Sequence, residues 1–440
     1  MDKTHRALCT IVIVASLLIG TRSSAQTPPD TGVTVIHAGR MFDSEKGVFL
    51  ERQDIIVKNK RVDAVGQNLP VPSGAREIDL RNYTVLPGLI DAHTHLLYLE
   101  DPFKGLSMDG IKAVIYEGTP LRALHGAARA RTFLAAGITT VRDLGNSGQY
   151  GDVALRDAIK DGSVDGPRMF VSGPGLSPEG GQFPGLRQNH KAIAEEEYRI
   201  VRGPEDAAQA VQENVNYGAD LIKIYSNSTP NRGYLSLAEM KAIVEEAKIL
   251  NVKVTAHATN NAAIWRAVQA GVNSIDHAYQ VDDTTLSLMH DRGVAMLPTD
   301  VDSVTITNLS KRAPSDTKIT PERITMYLAG GRTRLQRALK AGVTIVAGSD
   351  NYIQTGLPQG EAAKHVLIAY AEAGMKPIQI LRAATWNAAE LLGMKNRLGV
   401  IKAGASADIV GVEGNVEMDM RAIENVRFVM KDGTVYTERK

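Results

Sequence analysis

The feature that most restricts the fold of this chain is an alternation of apolar β runs with helix-like stretches between residues 84 and 350. The β runs are TVLPGLIDAHTH, TTVRDLG, RMFVSG, ADLIKIY, KVTAHA, SIDHA, VAMLPTD and TIVAGSD. Several of the intervening helix-like stretches end at a glycine just before the next run: Gly137, Gly271, Gly293 and Gly342. Eight β runs with helical crossovers predict an α/β fold, a (β/α)8 TIM barrel. An open doubly wound sheet is the alternative, although no Gly-x-Gly-x-x-Gly motif follows a first strand.

Both ends of the chain carry further strand-like runs. VTVIHAGRMFD and DIIVKNKRVDAVG lie near the N-terminus, and ADIVGVEG and VRFVMKDGTVYTE near the C-terminus, the last with a hairpin signal at Asp432-Gly433. Neither end is long enough to bury a good core alone, so we expect one small β-sandwich domain built from both chain ends. The predicted division is a signal peptide over 1–25, β-sandwich parts over 26–86 and 395–440, and the barrel over 87–394.

The N-terminus has the pattern of a secretory signal. Lys3 and Arg6 precede an apolar segment over residues 8–19, and small residues lead to an expected cleavage after Ala25. We therefore expect an exported protein, periplasmic or secreted; an uncleaved anchor is the alternative. The only cysteine is Cys9, inside the apolar segment, so the mature chain offers no thiolate ligand or nucleophile.

The charge balance says little for large anionic partners. The formal net charge is +1, which gives no support for nucleic acid or for an acidic membrane surface. We expect no membrane association of the mature form and a small-molecule substrate, and the sequence leaves a homo-oligomer open.

Side chains suited to metal binding stand at the carboxyl ends of the predicted strands, where barrel enzymes keep their catalytic groups. They are His93 and His95 in the first run, Lys223 in the fourth, His257 in the fifth, His277 in the sixth and Asp350 in the eighth. Neutral imidazole and carboxylate ligands favour zinc and similar divalent ions. A single histidine in such a run is more often a packing residue, but the joint placement predicts a metal site.

Lys223 is unusual because it interrupts the apolar run LIKIY, and lysine is rarely buried unless it is paired. Burial lowers the pKa of a lysine and leaves more of it as the neutral amine. A neutral amine can react with carbon dioxide to give a carbamate, which is an anion able to bridge two metal ions. A buried salt bridge to Asp or Glu is the alternative.

These motifs together resemble the metal-dependent amidohydrolase superfamily. The resemblance rests on PGLIDAHTH, the lysine in LIKIY, the histidines of TAHA and DHA, and AGSD, and it runs from Val33 to the end, including WNAAELLG and GVIKAGASADIV. More narrowly, the chain resembles the imidazolonepropionase-like branch with its Xaa-Pro dipeptidases and carboxypeptidase-type enzymes. It is also similar to the amidohydrolases that cleave ochratoxin A.

The resemblance implies a binuclear centre of two divalent metal ions, with zinc as the expected metal. His93, His95 and Asp350 would bind the more buried ion, and His257 and His277 the second. Carboxylated Lys223 would bridge both ions.

A catalytic cycle follows as a hypothesis. Asp350 would accept a proton from the attacking water and later donate it to the leaving nitrogen. Tyr225, two residues after Lys223 and on the same strand face, would hydrogen-bond the oxyanion or the substrate. A packing tyrosine is the alternative for Tyr225.

The expected substrate is a carboxylate-bearing amide, either an N-acyl amino acid or a dipeptide. One example of this class is ochratoxin A, whose cleavage would give ochratoxin α and phenylalanine. Arg142, Arg187 and His190 are candidate anchors for its carboxylate by position alone. The long connections over residues 172–206 and 300–323 are lid or specificity candidates. A hydrolase of a cyclic amide, imidazolonepropionase-like, or of a lactone is the alternative function; a binding protein without turnover is a further one.

Overall fold

The structure is a computed structural model that describes residues 32–103, 108–315 and 318–438. The predicted signal peptide and Cys9 lie outside the described residues. Within the described ranges, no helix is long and apolar enough to cross a membrane.

The strands follow one another in chain order as β1 (Val33–Asp43), β2 (Val48–Lys58), β3 (Arg61–Gly66), β4 (Arg76–Pro87), β5 (Leu89–Thr94), β6 (Ile138–Asp143), β7 (Arg168–Val171), β8 (Gly175–Ser177), β9 (Tyr198–Ile200), β10 (Leu221–Tyr225), β11 (Lys253–Asn260), β12 (Ser274–Gln280), β13 (Ala295–Leu297), β14 (Ile409–Glu413), β15 (Val426–Lys431) and β16 (Thr434–Glu438).

The helices are α1 (Met108–Lys112), α2 (Gly118–Ala135), α3 (Gly151–Lys160), α4 (Lys191–Glu195), α5 (Pro204–Asn216), α6 (Leu237–Ile249), α7 (Asn261–Ala270), α8 (Asp283–Asp291), α9 (Ser303–Arg312), α10 (Pro321–Lys340), α11 (Gln359–Ala363), α12 (His365–Glu372), α13 (Pro377–Ala383) and α14 (Trp386–Leu391). Short turns of other helical types lie at Ala113–Glu117, Gln188–His190 and Met420–Glu424.

Local capping explains where several helices begin and end. Ser236 and Glu239 form a reciprocal capping box at the start of α6, and Asn260 caps α7 through its side chain. The predicted glycines Gly137, Gly271, Gly293 and Gly342 all have a positive φ, as a helix end that turns into a strand requires.

Both chain ends build one seven-stranded sheet, in the order β16-β15-β14-β4-β1-β2-β3. Its central contacts join the ends directly, since β4 pairs in parallel with β1 and antiparallel with β14. The predicted hairpin is present: Asp432 and Gly433 both have positive φ between β15 and β16. Apolar side chains from both ends pack into a shared core, among them Ile36, Val85 and Phe428.

The predicted first run, TVLPGLIDAHTH, is divided at Gly88 between this sheet and the parallel strands that follow. β4 ends at Pro87 and β5 begins at Leu89. A Cβ at Gly88 would lie 2.1 Å from Oγ1 of Thr139 and 2.8 Å from Cβ of Asp408. Only glycine therefore allows the chain to pass between these side chains as it leaves the terminal sheet.

The remaining strands form two parallel sheets, β5-β6-β7 and β13-β12-β11-β10-β8-β9, with helices between successive strands. The backbone N–H of Asp220 donates to the carbonyl of Val171 at 2.8 Å, which links the start of β10 to β7. β8 and β9 were not expected, and both belong to the long connection over residues 172–206. The parallel α/β architecture is confirmed, but its strands do not form one continuous eight-stranded ladder.

The eighth predicted run is not a regular strand, since residues 344–350 contain only an isolated bridge at Ile345. Its hydrogen bonds still reach both neighbours. The N–H of Val346 donates to Met296 O at 3.0 Å on the β13 side, and Asp350 N–H donates to His93 O at 2.8 Å on the β5 side. The segment therefore connects the two parallel sheets and delivers Asp350 beside His93.

Candidate metal centre

A cavity of about 290 Å³ lies at the carboxyl ends of the parallel strands. The side chains that the sequence predicts as metal ligands or catalytic groups all line it: His93, His95, Lys223, Tyr225, His257, His277 and Asp350. The rest of its lining is mostly aromatic or uncharged: Tyr98, Glu100, Asn146, Gln182, Phe183, Tyr198, Thr229, Pro230, Thr259, Tyr279 and Tyr352. The structure therefore brings the whole predicted set together.

His93, His95 and Asp350 form the tightest group of ligand atoms, all within 4.8 Å of one another. The Nε2 atoms of the two histidines are 3.3 Å apart, and Oδ1 of Asp350 lies 3.3 Å from the first and 3.1 Å from the second. Nδ1 of His95 donates to the carbonyl of Gly145 at 2.9 Å, which directs the Nε2 lone pair towards the group. Two imidazoles and a carboxylate of this kind fit one divalent cation.

His257 and His277 form a second pair beside that group. Their ring centroids are 4.5 Å apart, and the His277 ring lies 5.4 Å from the ring of His93. Nδ1 of His277 is hydrogen-bonded to Oγ1 of Thr299 at 2.8 Å, an outer contact typical of an oriented ligand imidazole.

The electrostatics of the cavity suit cation binding. Burial, reinforced by the charge of Lys223, lowers the pKa of His93, and burial lowers the pKa of His277 to about 3. Burial also holds the pKa of His257 well below its usual range. Imidazoles must be neutral to bind a metal, so these three are in the right protonation state at neutral pH. Burial alone would raise the pKa of Asp350, but the neighbouring imidazoles lower it and keep the carboxylate ionised.

Lys223 has a partner that the sequence left unidentified. Its Nζ lies 2.5 Å from Oδ2 of Asp276, and both side chains are almost fully buried. Oδ1 of Asp276 accepts a hydrogen bond from Oγ1 of Thr255 at 3.2 Å and lies 3.5 Å from Nδ1 of His93. Burial lowers the pKa of Lys223, against the opposing effect of Asp276.

The backbone around the centre is strained at several non-glycine residues. His277, Ala278, Thr299 and Asp350 all have φ between +50° and +71°. Residues other than glycine, asparagine and aspartate rarely adopt this left-handed backbone conformation. Such strained conformations are concentrated at functional sites. Asp276 and His277 are consecutive, yet both lie beside His93: Oδ1 of Asp276 is 3.5 Å from its Nδ1, and the His277 ring centroid is 5.4 Å from its ring.

Tyr225 lines the cavity, and its hydroxyl belongs to a short chain of hydrogen bonds. Its hydroxyl donates to Oδ1 of Asn146 at 3.4 Å, and Nδ2 of Asn146 donates to the hydroxyl of Tyr198 at 3.4 Å. Its ring packs against His257 with centroids 5.5 Å apart. Burial raises the pKa of Tyr225 well above its usual value, so its phenol remains a proton donor.

The sequence profile of the Amidohydrolase family matches residues 84–437. The chain belongs to the amidohydrolase family. It is thus an enzyme of a family of hydrolases that act on amide C–N bonds and generally use divalent metals, as the motifs predicted.

Named relatives resemble this amidohydrolase over most of its length. Ochratoxinase from Aspergillus niger is 28% identical over 436 residues, covering 92% of this chain and 86% of that protein. Imidazolonepropionase from Shouchella clausii is 24% identical, covering 90% of this chain and 87% of that protein. Among solved structures, a Xaa-Pro dipeptidase with bound methionine in its active site has 28% identity and a TM-score of 0.78, covering 92% of this chain and all of that one.

The prediction of three anchors for the substrate carboxylate of the amidohydrolase is wrong. Among the described residues that line the cavity, none is Arg142, Arg187 or His190. Arg142 lies buried beneath the cavity, where its Nε donates to Ala92 O at 2.6 Å and its Nη2 is 3.6 Å from Asp276. Arg187 and His190 are exposed on the connection after β8.

Among the residues that the sequence did not predict for the amidohydrolase site, Asp276 and Asn146 contact the predicted set directly. Asp276 carried a signal like that of Lys223, an ionisable residue inside an apolar run, but strand alternation placed it away from His277. Asn146 carried no such signal, because its role depends on tyrosines that are distant in the chain. The long connection predicted as a lid candidate does reach the cavity, to which it contributes Gln182, Phe183 and Tyr198.

Proposed function

We propose that this amidohydrolase cleaves the amide bond of a carboxylate-bearing small molecule, either an N-acyl amino acid or a dipeptide. The observation that carries the proposal is the convergence of four histidines, Lys223 and Asp350 on one cavity. Its similarity to an ochratoxinase and to a Xaa-Pro dipeptidase supports an amide substrate of this class. Ochratoxin A, which would yield ochratoxin α and phenylalanine, is within that class.

The proposed centre holds two divalent cations, expected to be zinc. His93, His95 and Asp350 hold one, and His257 and His277 hold the other. Lys223, as a carbamate, would supply a negatively charged ligand to both ions. When bound, such cations polarise the scissile carbonyl and lower the pKa of water.

Asp350 is the proposed proton carrier. Its Oδ1 lies within 3.3 Å of both His93 and His95, and in its ionised form the carboxylate can accept a proton from water. The same carboxyl then donates that proton to the leaving nitrogen, which completes the general base and general acid cycle.

Tyr225 is the proposed donor to the developing oxyanion. It remains protonated because burial raises its pKa, and the contact of its hydroxyl with Asn146 fixes its direction. The substrate carboxylate would be bound by neutral donors of the lining, such as Thr259 and Gln182, whose Nε2 lies 3.4 Å from Nε2 of His257.

The proposal extends to the layout of the chain. Residues 87–394 form the barrel, and 26–86 with 395–440 form the β-sandwich domain, which is supported by the sheet that both ends share. Residues 1–25 are removed on export to the periplasm or the medium, a proposal supported by the charge and hydropathy pattern of the N-terminus.

The test is turnover by the mature protein loaded with zinc. The panel contains N-acyl amino acids, dipeptides and ochratoxin A beside hydantoins, imidazolones and lactones, with a Lys223→Ala preparation as the negative control. Release of a free amino acid from the first group supports the proposal. Turnover confined to the cyclic compounds would replace it by the alternative that the imidazolonepropionase relative favours. A protein that binds no metal after reconstitution would indicate a binding function.

A further inference from the structure

Arg122 is a buried cation of α2 that does not line the cavity. Its guanidinium forms a two-pronged ion pair with Glu197, from Nη1 to Oε2 at 2.6 Å and from Nη2 to Oε1 at 2.9 Å. Each of the two side chains is only 2% exposed. A paired carboxylate and guanidinium in this geometry form two parallel charge-assisted hydrogen bonds, which fix orientation as well as distance.

The other donors of Arg122 go to two further segments. Its Nε donates to the carbonyl of Leu97 at 3.4 Å, and its Nη2 also donates to the carbonyl of Asn146. One guanidinium therefore touches the connections after β5, after β6 and before β9. A planar group with five donors can make all these contacts at once, whereas a lysine ammonium cannot.

Each of the three contacted positions delivers a residue of the cavity wall. Leu97 precedes Tyr98, Glu197 precedes Tyr198, and Asn146 lines the cavity itself. Asn146 is the most direct link, because its side-chain amide contacts the hydroxyls of both Tyr198 and Tyr225. Its φ of +56° lies in the left-handed region, which asparagine adopts more readily than most residues.

We propose that Arg122 is a positioning residue, which with Glu197 holds three cavity-forming connections in register and thereby orients Asn146 and Tyr225 towards the substrate. The proposal rests on the proposed function for the role of Tyr225. A purely structural ion pair is the competing account, and burial of such a pair is weak support for stability by itself. The test must therefore separate stability from catalysis.

The experiment compares Arg122→Met with the double variant Arg122→Met/Glu197→Leu. The single variant leaves Glu197 buried without its partner and is expected to lose stability, whereas the double variant removes both charges and should recover most of it. Arg168→Met is the matched control. Arg168 also bridges carboxylates, Asp408 at 2.7 Å and Asp432 at 2.5 Å, but it joins β7 to the C-terminal strands and not to the cavity wall.

The measurements are denaturant unfolding, zinc content, and kcat and KM for whichever amide the wild type hydrolyses. The double variant is expected to bind zinc and to unfold near the wild-type midpoint, yet to lose kcat/KM by about 10²-fold, because small displacements of oriented groups cost that much. Arg168→Met should lose stability without that loss. Recovery of kcat/KM together with stability in the double variant would reduce Arg122 to a structural residue and overturn the proposal.

A second measurement keeps the inference separate from the choice of substrate. Hydrogen exchange of the segments around Leu97, Asn146 and Glu197 should accelerate together in the double variant and remain unchanged in Arg168→Met. If the wild type cleaves no amide, the proposed function fails, but hydrogen exchange still tests whether Arg122 and Glu197 hold the three connections together. Unchanged exchange in all three segments would overturn the positioning role of Arg122, whatever the substrate is.

Discussion

The Nζ of Lys223 lies 2.5 Å from Oδ2 of Asp276, with both side chains almost fully buried beside the four histidines of the cavity. Of the two accounts that the sequence left open for Lys223, the buried ion pair is therefore present, and the carbamate remains a proposal. A carbamate on Lys223 would set a second negative charge beside Asp276. Cations bound by the neighbouring histidines would offset that repulsion, so carboxylation and metal binding should be linked.

Replacing Lys223 with alanine is expected to abolish metal binding and activity together, because the proposed bridge between the two ions is lost. Short carboxylic acids such as formate or acetate should restore part of both by supplying a carboxylate in its place. Zinc content and turnover, measured with and without acid, check this. Lys364→Ala is the control, since Lys364 is equally buried but contacts Ile423 O at 3.0 Å away from the cavity. Full zinc content in Lys223→Ala would contradict a bridging role.

Replacing Asp350 with asparagine should leave metal bound but lower kcat by about 10²- to 10⁴-fold, the range for loss of a general base. The amide oxygen can still lie between the two histidines, but it cannot accept the proton from water. Steady-state kinetics beside zinc analysis separate the two effects. Near wild-type kcat in a zinc-loaded variant would exclude Asp350 as the proton carrier.

Replacing Tyr225 with phenylalanine keeps the ring that packs on His257 but removes the hydroxyl. If the phenol stabilises the oxyanion, kcat should fall by about 10²-fold with a smaller change in KM. A packing tyrosine would instead show unchanged kcat. Tyr198→Phe is the matched control, because it also breaks a contact with Asn146 but leaves the Tyr225 hydroxyl in place.

The predictable part of the molecule is the part governed by local pattern. Strand runs with histidines at their carboxyl ends identified the cavity because parallel strands present those ends at one edge. Helix ends at Gly271 and Gly342 and the Asp432-Gly433 hairpin were likewise readable, since each depends on the φ of a few neighbouring residues.

The unpredicted part depends on contacts between distant residues or on departures from regular strands. Strand alternation did not predict that the consecutive residues Asp276 and His277 both lie beside His93. Arg142 was misplaced because its partners, Ala92 and Asp276, lie far away in the chain. The ion pair of Arg122 spans 75 residues, and nothing in the local sequence of either partner indicates the other.

Replacing Gly88 with alanine should destabilise the fold, because its Cβ would lie 2.1 Å from Oγ1 of Thr139 and 2.8 Å from Cβ of Asp408. Overpacking of this kind costs about 1–3 kcal/mol or more in the free energy of unfolding. Gly330→Ala is the control: Gly330 lies in α10 with open space around its Cβ position, and the change should stabilise the helix by about 0.5–1 kcal/mol. Chemical unfolding of both variants tests the contrast, and equal midpoints would show that the chain relaxes freely at Gly88.

The pH dependence of stability should carry the signature of His277. Burial lowers its pKa to about 3, whereas the unfolded imidazole titrates at its usual value of 6.5. Between these values the unfolded state binds a proton that the folded state does not, so the contribution of His277 to stability is present above pH 6.5 and is lost as the pH falls towards 3.

His277→Gln removes that titration and retains a polar side chain near Thr299. In the presence of a chelator, which removes the competing effect of metal on imidazole protonation, the wild type should lose stability relative to the variant by about 1.4 kcal/mol per pH unit within that window. Above pH 7 the difference between the two proteins should be constant. Denaturant unfolding at a series of pH values measures it, and curves that stay parallel down to pH 4 would show that His277 is not held neutral by burial.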